Sequence, residues 1–146
     1  IRGALARLSP AAAWTGKFII PVAGRQSTAF GLTRYRNGEK QSQHKGIDYS
    51  AKLGVSVKAA NSGAVALTAE GFKMHGKTVV IDHGQGVCTL YLHLSKILVK
   101  PGQVVKKGAP IALVGATGVA TGPHLHYALY VAGIAVDPGW WESQAR

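Results

Sequence analysis

From Lys17 onward the apolar residues fall in short β-branched runs. They are "KFIIPV", "GVSVKAA", "GAVALTA", "KTVVID", "VCTLYLHL", "VVKKGAPIALVG" and "HLHYALYVAGIAV". Gly, Pro and Asn separate them, and no ten-residue amphipathic helix lies between. This pattern predicts an all-β fold, an antiparallel sandwich or barrel-like core. In "IDHGQGVCTLY" the stretch Asp82 to Gly86 predicts a hairpin turn. The first sixteen residues, "IRGALARLSPAAAWTG", are Ala-rich without strand alternation. They read as a short helix or linker ending an upstream region, which leaves 17–146 as the functional domain. "DPGWWESQAR" is expected to leave the sheet at Pro138, with Trp140 and Trp141 as packing residues.

Period two assigns side chains to faces. In "VCTLYLHL", Cys88, Leu90, Leu92 and Leu94 share one face and Thr89, Tyr91 and His93 the other. The leucine face is expected to be the core, which points His93 away from it. In "HLHYALY", Leu125, Tyr127 and Leu129 form the core face, and His124 and His126 stand together on the opposite one. A helix would splay that pair by about 200°. In "QSQHKGIDYS", His44 and Asp48 are four apart, an even spacing that puts both on one strand face. Gly46 lies between them and fills no space.

Composition narrows the setting. The chain has 146 residues, enough for one domain with a proper core. Lys and Arg number 17 against 6 Asp and Glu, a formal charge of +11 that favours anionic partners. One cysteine, Cys88, excludes an internal disulfide and reads as a buried small apolar residue. No apolar stretch approaches the ~20 residues of a membrane-spanning helix. The chain opens on Ile1 without a recognisable signal peptide, so a longer precursor is expected.

His44, Asp48, His124 and His126 can therefore converge, with His93 as a fifth candidate. Two imidazoles and a carboxylate are a common catalytic zinc set that keeps a fourth position open. A nearby imidazole outside the set can move a proton or steady an oxyanion. Each histidine taken alone is better read as structural. Five such groups on non-core faces favour a metal site. His75 and His83 stay structural, His75 in a loop and His83 in the predicted turn. "GFKMHGKT" at 71–78 matches the phosphate-loop pattern letter for letter. A β-branched run follows its lysine where a helix should begin, which argues against nucleotide binding.

With these motifs the chain resembles the lysostaphin/LytM-type zinc metalloendopeptidases of bacterial peptidoglycan, in their Gram-negative envelope form. The resemblance runs from about Phe18 to Pro138 and includes "FG" with Arg34, "HKGID", "VKAANSGAV", "VVIDHGQGVCTLYLHLS", "VKPGQVVKKGAPIALVGATG" and "TGPHLH". It implies one zinc ion bound by His44, Asp48 and His126, with His93 and His124 as the catalytic histidines. It also implies a β-rich core with the metal in a loop-walled groove. Ala128 departs from it, standing where many relatives carry Glu or Gln.

The implied function is hydrolysis of stem-peptide cross-links, D-Ala–diaminopimelate in particular, in the periplasm or elsewhere outside the cytoplasm, with upstream regulatory domains. One alternative is a catalytically silent relative that binds and regulates another cell-wall hydrolase; the full set of five site residues argues against it. Another is a lipoyl-type carrier, which "VKPGQVVKKGAPIALVG" also resembles; Lys106 and Lys107 fall in a strand-turn and not on an exposed tip. No nucleic-acid motif accompanies the charge.

Overall fold

The structure, a computed structural model, describes residues 2–5, 11–36 and 38–143. Residues 1 and 6–10 of the predicted linker and the side chain of Arg34 lie outside the described residues. The elements run α1 (Arg2–Leu5), β1 (Arg25–Thr28), β2 (Thr33–Arg36), β3 (Glu39–Gln43), β4 (Ile47–Ser50), β5 (Ser56–Lys58), β6 (Gly63–Phe72) and β7 (Gly76–Gly84). They continue as β8 (Val87–Ile97), β9 (Val104–Val105), β10 (Pro110–Val114), β11 (His124–Val131), β12 (Ile134–Val136) and α2 (Pro138–Ser143).

The fold is all-β, as the short runs predict. An antiparallel sheet has the order β1-β4-β11-β8-β7-β6-β9; β12 pairs β11, β10 pairs β5 and β8, and the sheet does not close. β2 and β3 form a separate hairpin. The main core lies on the face of Leu125, Tyr127, Leu129, Val79, Ile81 and Tyr91, together with Val57 of β5, Ile111 of β10 and Phe18. The face assignment for β11 therefore holds.

For β8 the expected faces are reversed. Thr89 and Tyr91 are fully buried, and Tyr91 belongs to the main core. Cys88, Leu90 and Leu92 form a smaller cluster on the other face with Val80 and Ala128. Alternation cannot tell two buried faces apart, and this strand is covered on both. Strict alternation from Tyr91 would then drive His93 into the main core. A bulge prevents that: Lys77 pairs Leu94 and Val79 pairs Tyr91, so β8 carries an extra residue, and His93 has φ 63°. Leu92 and His93 both line the groove on the far face, while Leu94 returns to the main core.

The bulge also marks a change of partner. Val87 to Leu92 pair with β11, and Leu94 to Ile97 pair with β10.

Other boundaries move for local reasons. The β7–β8 turn is tighter than expected. Gln85 and Gly86, at φ 52° and 82°, form a two-residue loop between paired Gly84 and Val87. His83 is thus a strand residue and not a turn residue. Its structural role fits its surroundings, because it is fully buried with both ring nitrogens hydrogen-bonded. "HLHYALYVAGIAV" folds as a hairpin, broken at Ala132 and Gly133 (φ 51° and 81°). His44 precedes β4 in a bend and does not share a strand with Asp48. "KFIIPV" forms no strand and joins the sheet through one bridge, Val22 with Val57. In "GFKMHGKT" the turn runs directly into β7, so no helix follows Lys77.

The chain leaves the sheet at Pro138, where Asp137 Oδ1 accepts the Gly139 amide (2.9 Å) at the start of α2. Trp141 packs edge-on against Trp14 and Phe18, whereas Trp140 is 55% exposed. Residues 13–15 lie against the sheet through Ala13 to His83 and Thr15 to Asn61. No helix among the described residues is long and apolar enough to cross a membrane.

Candidate metal centre

Strand register builds the centre. His126 of β11 pairs directly with Asp48 of β4, and His124 pairs with Ser50. Directly opposed residues share a face, so the two histidines and the aspartate are on one side. Asp48 Oδ1 lies 2.9 Å from His126 Nδ1 and 3.3 Å from His44 Nε2. The His44 Nδ1–H donates to the Ala29 carbonyl (2.9 Å), which leaves Nε2 as the atom turned to the cluster.

Gly46 is required for this approach. A Cβ there would sit 2.8 Å from His126 Nε2 and 2.5 Å from the Tyr127 carbonyl oxygen. The sequence reading of a glycine kept free of a side chain matches that contact.

The donor set fits zinc. One ligand atom from each of His44, Asp48 and His126 lies within 4.8 Å of the others. Tetrahedral zinc at ordinary bond lengths holds its donors about 3.4 Å apart, close to the 2.9 and 3.3 Å that separate Asp48 from the two histidines. Burial pushes the Asp48 carboxyl up, but the His126 hydrogen bond and the neighbouring histidine charges more than reverse this and hold it below its ordinary value. Asp48 is therefore an anion at neutral pH, as a ligand must be.

His93 and His124 stand beside the cluster with ring centroids 4.8 Å apart, and His93 lies 6.4 Å from the His126 ring. The His93 Nδ1 meets the Thr117 carbonyl at 2.8 Å, and the His124 Nδ1 meets the Gly122 carbonyl at 2.9 Å. A carbonyl only accepts, so both Nδ1 atoms carry a proton, and in the neutral tautomer the lone pair of each ring lies on Nε2. Burial pushes the His93 pKa below the usual histidine value; the Thr117 bond opposes this, and the charges of His124 and His126 add to it. A neutral imidazole ready to accept a proton is the result.

All five expected site residues line one groove of about 1100 Å³. Its walls come from the 27–28 strand end, the 44–50 segment, the 74–75 turn and the 118–123 loop. His75, read from sequence as a loop residue without a partner, also lines the groove, and its carbonyl accepts the His93 amide (2.9 Å). Sequence reasoning missed Thr117 as well. Its Oγ1 donates to the Leu94 carbonyl (2.6 Å) and accepts the Lys77 amide (3.0 Å), which fixes the loop that holds His93. No local pattern signals that contact. Ala128, the departure from the resemblance, is fully buried in the smaller apolar cluster.

A family model described as Peptidase family M23 matches residues 42–138. The chain is 48% identical over 94 residues to the peptidoglycan DD-endopeptidase ShyA of Vibrio cholerae, covering 64% of this chain and 22% of that protein. The chain spans about a fifth of the length of the first curated relatives it matches. A zinc-containing peptidase from Vibrio cholerae superposes with TM-score 0.79 and 34% identity, over 92% of this chain and 41% of that one. The catalytic domain of lysostaphin from Staphylococcus simulans gives 0.72 and 30%, over 83% and 93%.

Proposed function

The chain belongs to peptidase family M23, and from that premise we propose that it is a zinc-dependent endopeptidase cleaving D-Ala–diaminopimelate cross-links of peptidoglycan outside the cytoplasm. The observation that carries this reading is the meeting of His44, Asp48, His126, His93 and His124 in one groove. ShyA supplies the substrate class, since it is named a peptidoglycan DD-endopeptidase. In this reading 17–146 is the peptidase domain and 1–16 the end of an upstream region.

His44, Asp48 and His126 would hold the zinc, which would supply Lewis acidity toward a peptide carbonyl and a lowered pKa for water. The chain's own task is to orient the amide and move protons. The Nε2 atoms of His93 and His124 take the proton of the attacking water and return one to the amide nitrogen as the C–N bond breaks. Fixed Nδ1 contacts hold both rings in the tautomer this requires. The +11 charge holds the domain against anionic wall polymer, an attraction that weakens with salt.

A silent regulatory domain is the competing reading, and the complete residue set supports the enzyme. Zinc-loaded protein should release monomers from D-Ala–diaminopimelate dimers and leave pentaglycine intact. Cleavage of pentaglycine alone would overturn the bond assignment. Cleavage of neither, with zinc bound, would favour the silent domain.

A further inference from the structure

Among the described residues lining the groove, two carry a formal charge at neutral pH: Asp48 and Lys45. Asp48 is engaged by His44 and His126. Lys45 is exposed and has no ion pair or side-chain hydrogen bond among the described residues. It follows His44 in the bend before β4, so one short piece of backbone presents both a ligand and a cation.

An ammonium has donors and no lone pair, so Lys45 cannot ligate a metal, and its charge repels a divalent ion held next to it. That placement is favourable when an anion joins the two. The far side of the groove is unlike it. Across β11 and β8, the rim carries Met74 and Val119, 69% and 73% exposed, tied by the Val119 amide to the Met74 carbonyl (3.0 Å). The groove thus carries the Lys45 ammonium beside the Asp48 cluster at its β4 end and exposed apolar side chains at the β7–β8 end.

We propose that Lys45 determines specificity by binding the substrate carboxylate on the amine side of the scissile bond. The inference rests on the endopeptidase reading. In a D-Ala–diaminopimelate cross-link, the carbon bearing the scissile nitrogen also bears a free carboxylate. In pentaglycine that position continues as an amide. Lys45 therefore selects the cross-link class and sets the direction in which the peptide lies. A charge-assisted hydrogen bond of this kind contributes roughly a 10- to 100-fold preference.

The test compares two dimers, one with this carboxylate free and one with it amidated, on zinc-loaded wild type, Lys45→Met and Lys45→Arg. Wild type should favour the free acid by roughly 10- to 100-fold in kcat/KM. Lys45→Met should bring that ratio close to one at unchanged zinc content, and Lys45→Arg should restore most of it. On metal-free protein, the amine-side product should bind Lys45→Met roughly tenfold more weakly than wild type. Wild type that cleaves both dimers equally, or Lys45→Met that keeps the wild-type ratio, overturns the inference alone. Wild type that cleaves neither dimer overturns the endopeptidase reading and this inference with it.

Discussion

At the scale of single residues, five side chains in one groove divide into two kinds by what their ring and carboxyl atoms face. His44, Asp48 and His126 turn donor atoms toward one another. His93 and His124 instead tie Nδ1 to the Thr117 and Gly122 carbonyls. Replacing any of the first three by Ala should lower bound zinc below one per chain, and activity with it. Replacing His93 or His124 by Ala should keep zinc bound and slow turnover roughly 100-fold or more. Metal analysis beside kcat separates the two groups; full zinc in all three ligand variants would sink the assignment. Acid should act through the same residues. A base with a lowered pKa stays neutral as pH falls past the ordinary histidine value of 6.5, and a bound cation lowers it further. The His93 limb of the kcat profile should therefore lie below pH 6.5, and a limb at or above that value would contradict the burial argument. Much of this was legible in the letters, because H-x-H spacing on a strand forces two imidazoles to one face. Lys45, His75 and Thr117 were not, since their roles come from what packs beside them.

Elements decide where those residues point. β8 delivers His93 to the groove only because the bulge turns it away from the Tyr91 face, at the point where the strand changes partner. A non-glycine residue at positive φ is held there by its surroundings. The supports are visible: the His93 amide bonds the His75 carbonyl, and its ring bonds the Thr117 carbonyl. Gly76 and Gly118 let the two loops touch, since a Cβ on Gly76 would lie 2.4 Å from Thr117 atoms and one on Gly118 would lie 2.6 Å from the Met74 carbonyl oxygen. Thr117→Val keeps the shape and loses both hydroxyl bonds. It should lower kcat roughly tenfold with KM and zinc content little changed. Thr117→Ser should recover most of the rate; a Val variant with wild-type kcat would show that the loop needs no such anchor.

Across the whole molecule, a buried polar chain joins β7 and β8 to the 60–62 segment. His83 Nδ1 donates to the Ser62 carbonyl (2.8 Å), so its Nε2 must accept from the Thr89 hydroxyl (2.7 Å). Thr89 in turn accepts from the Tyr91 hydroxyl (2.7 Å), which accepts the Ala60 amide (3.0 Å). Burial lowers the His83 pKa to about 4 and raises that of Tyr91 to about 12. The folded state keeps His83 neutral while the unfolded chain protonates near 6.5. This contribution to stability is complete above that pH and is lost as pH falls toward 4. It amounts to about 3 kcal/mol at most. His75 and His93 shift in the same direction, so the useful quantity is a difference between variants. Metal-free wild type should lose more stability between pH 7.5 and 4.5 than His83→Gln does, read by denaturant unfolding; equal losses would mean that His83 is not held neutral.

Local pattern was enough for the strand-rich class, the core face of β11, and the common face of His124 and His126. Each rests on local physics: turn residues interrupt short β-branched runs, and a period of two fixes sides. Tertiary structure alone decided which face of β8 is the main core, because both are buried and alternation carries no sign. It alone turned His93 over at the bulge, broke the last apolar run into a hairpin, and drew His75, Thr117 and Lys45 to the groove. Those outcomes depend on contacts between residues far apart in the chain, which no local pattern encodes.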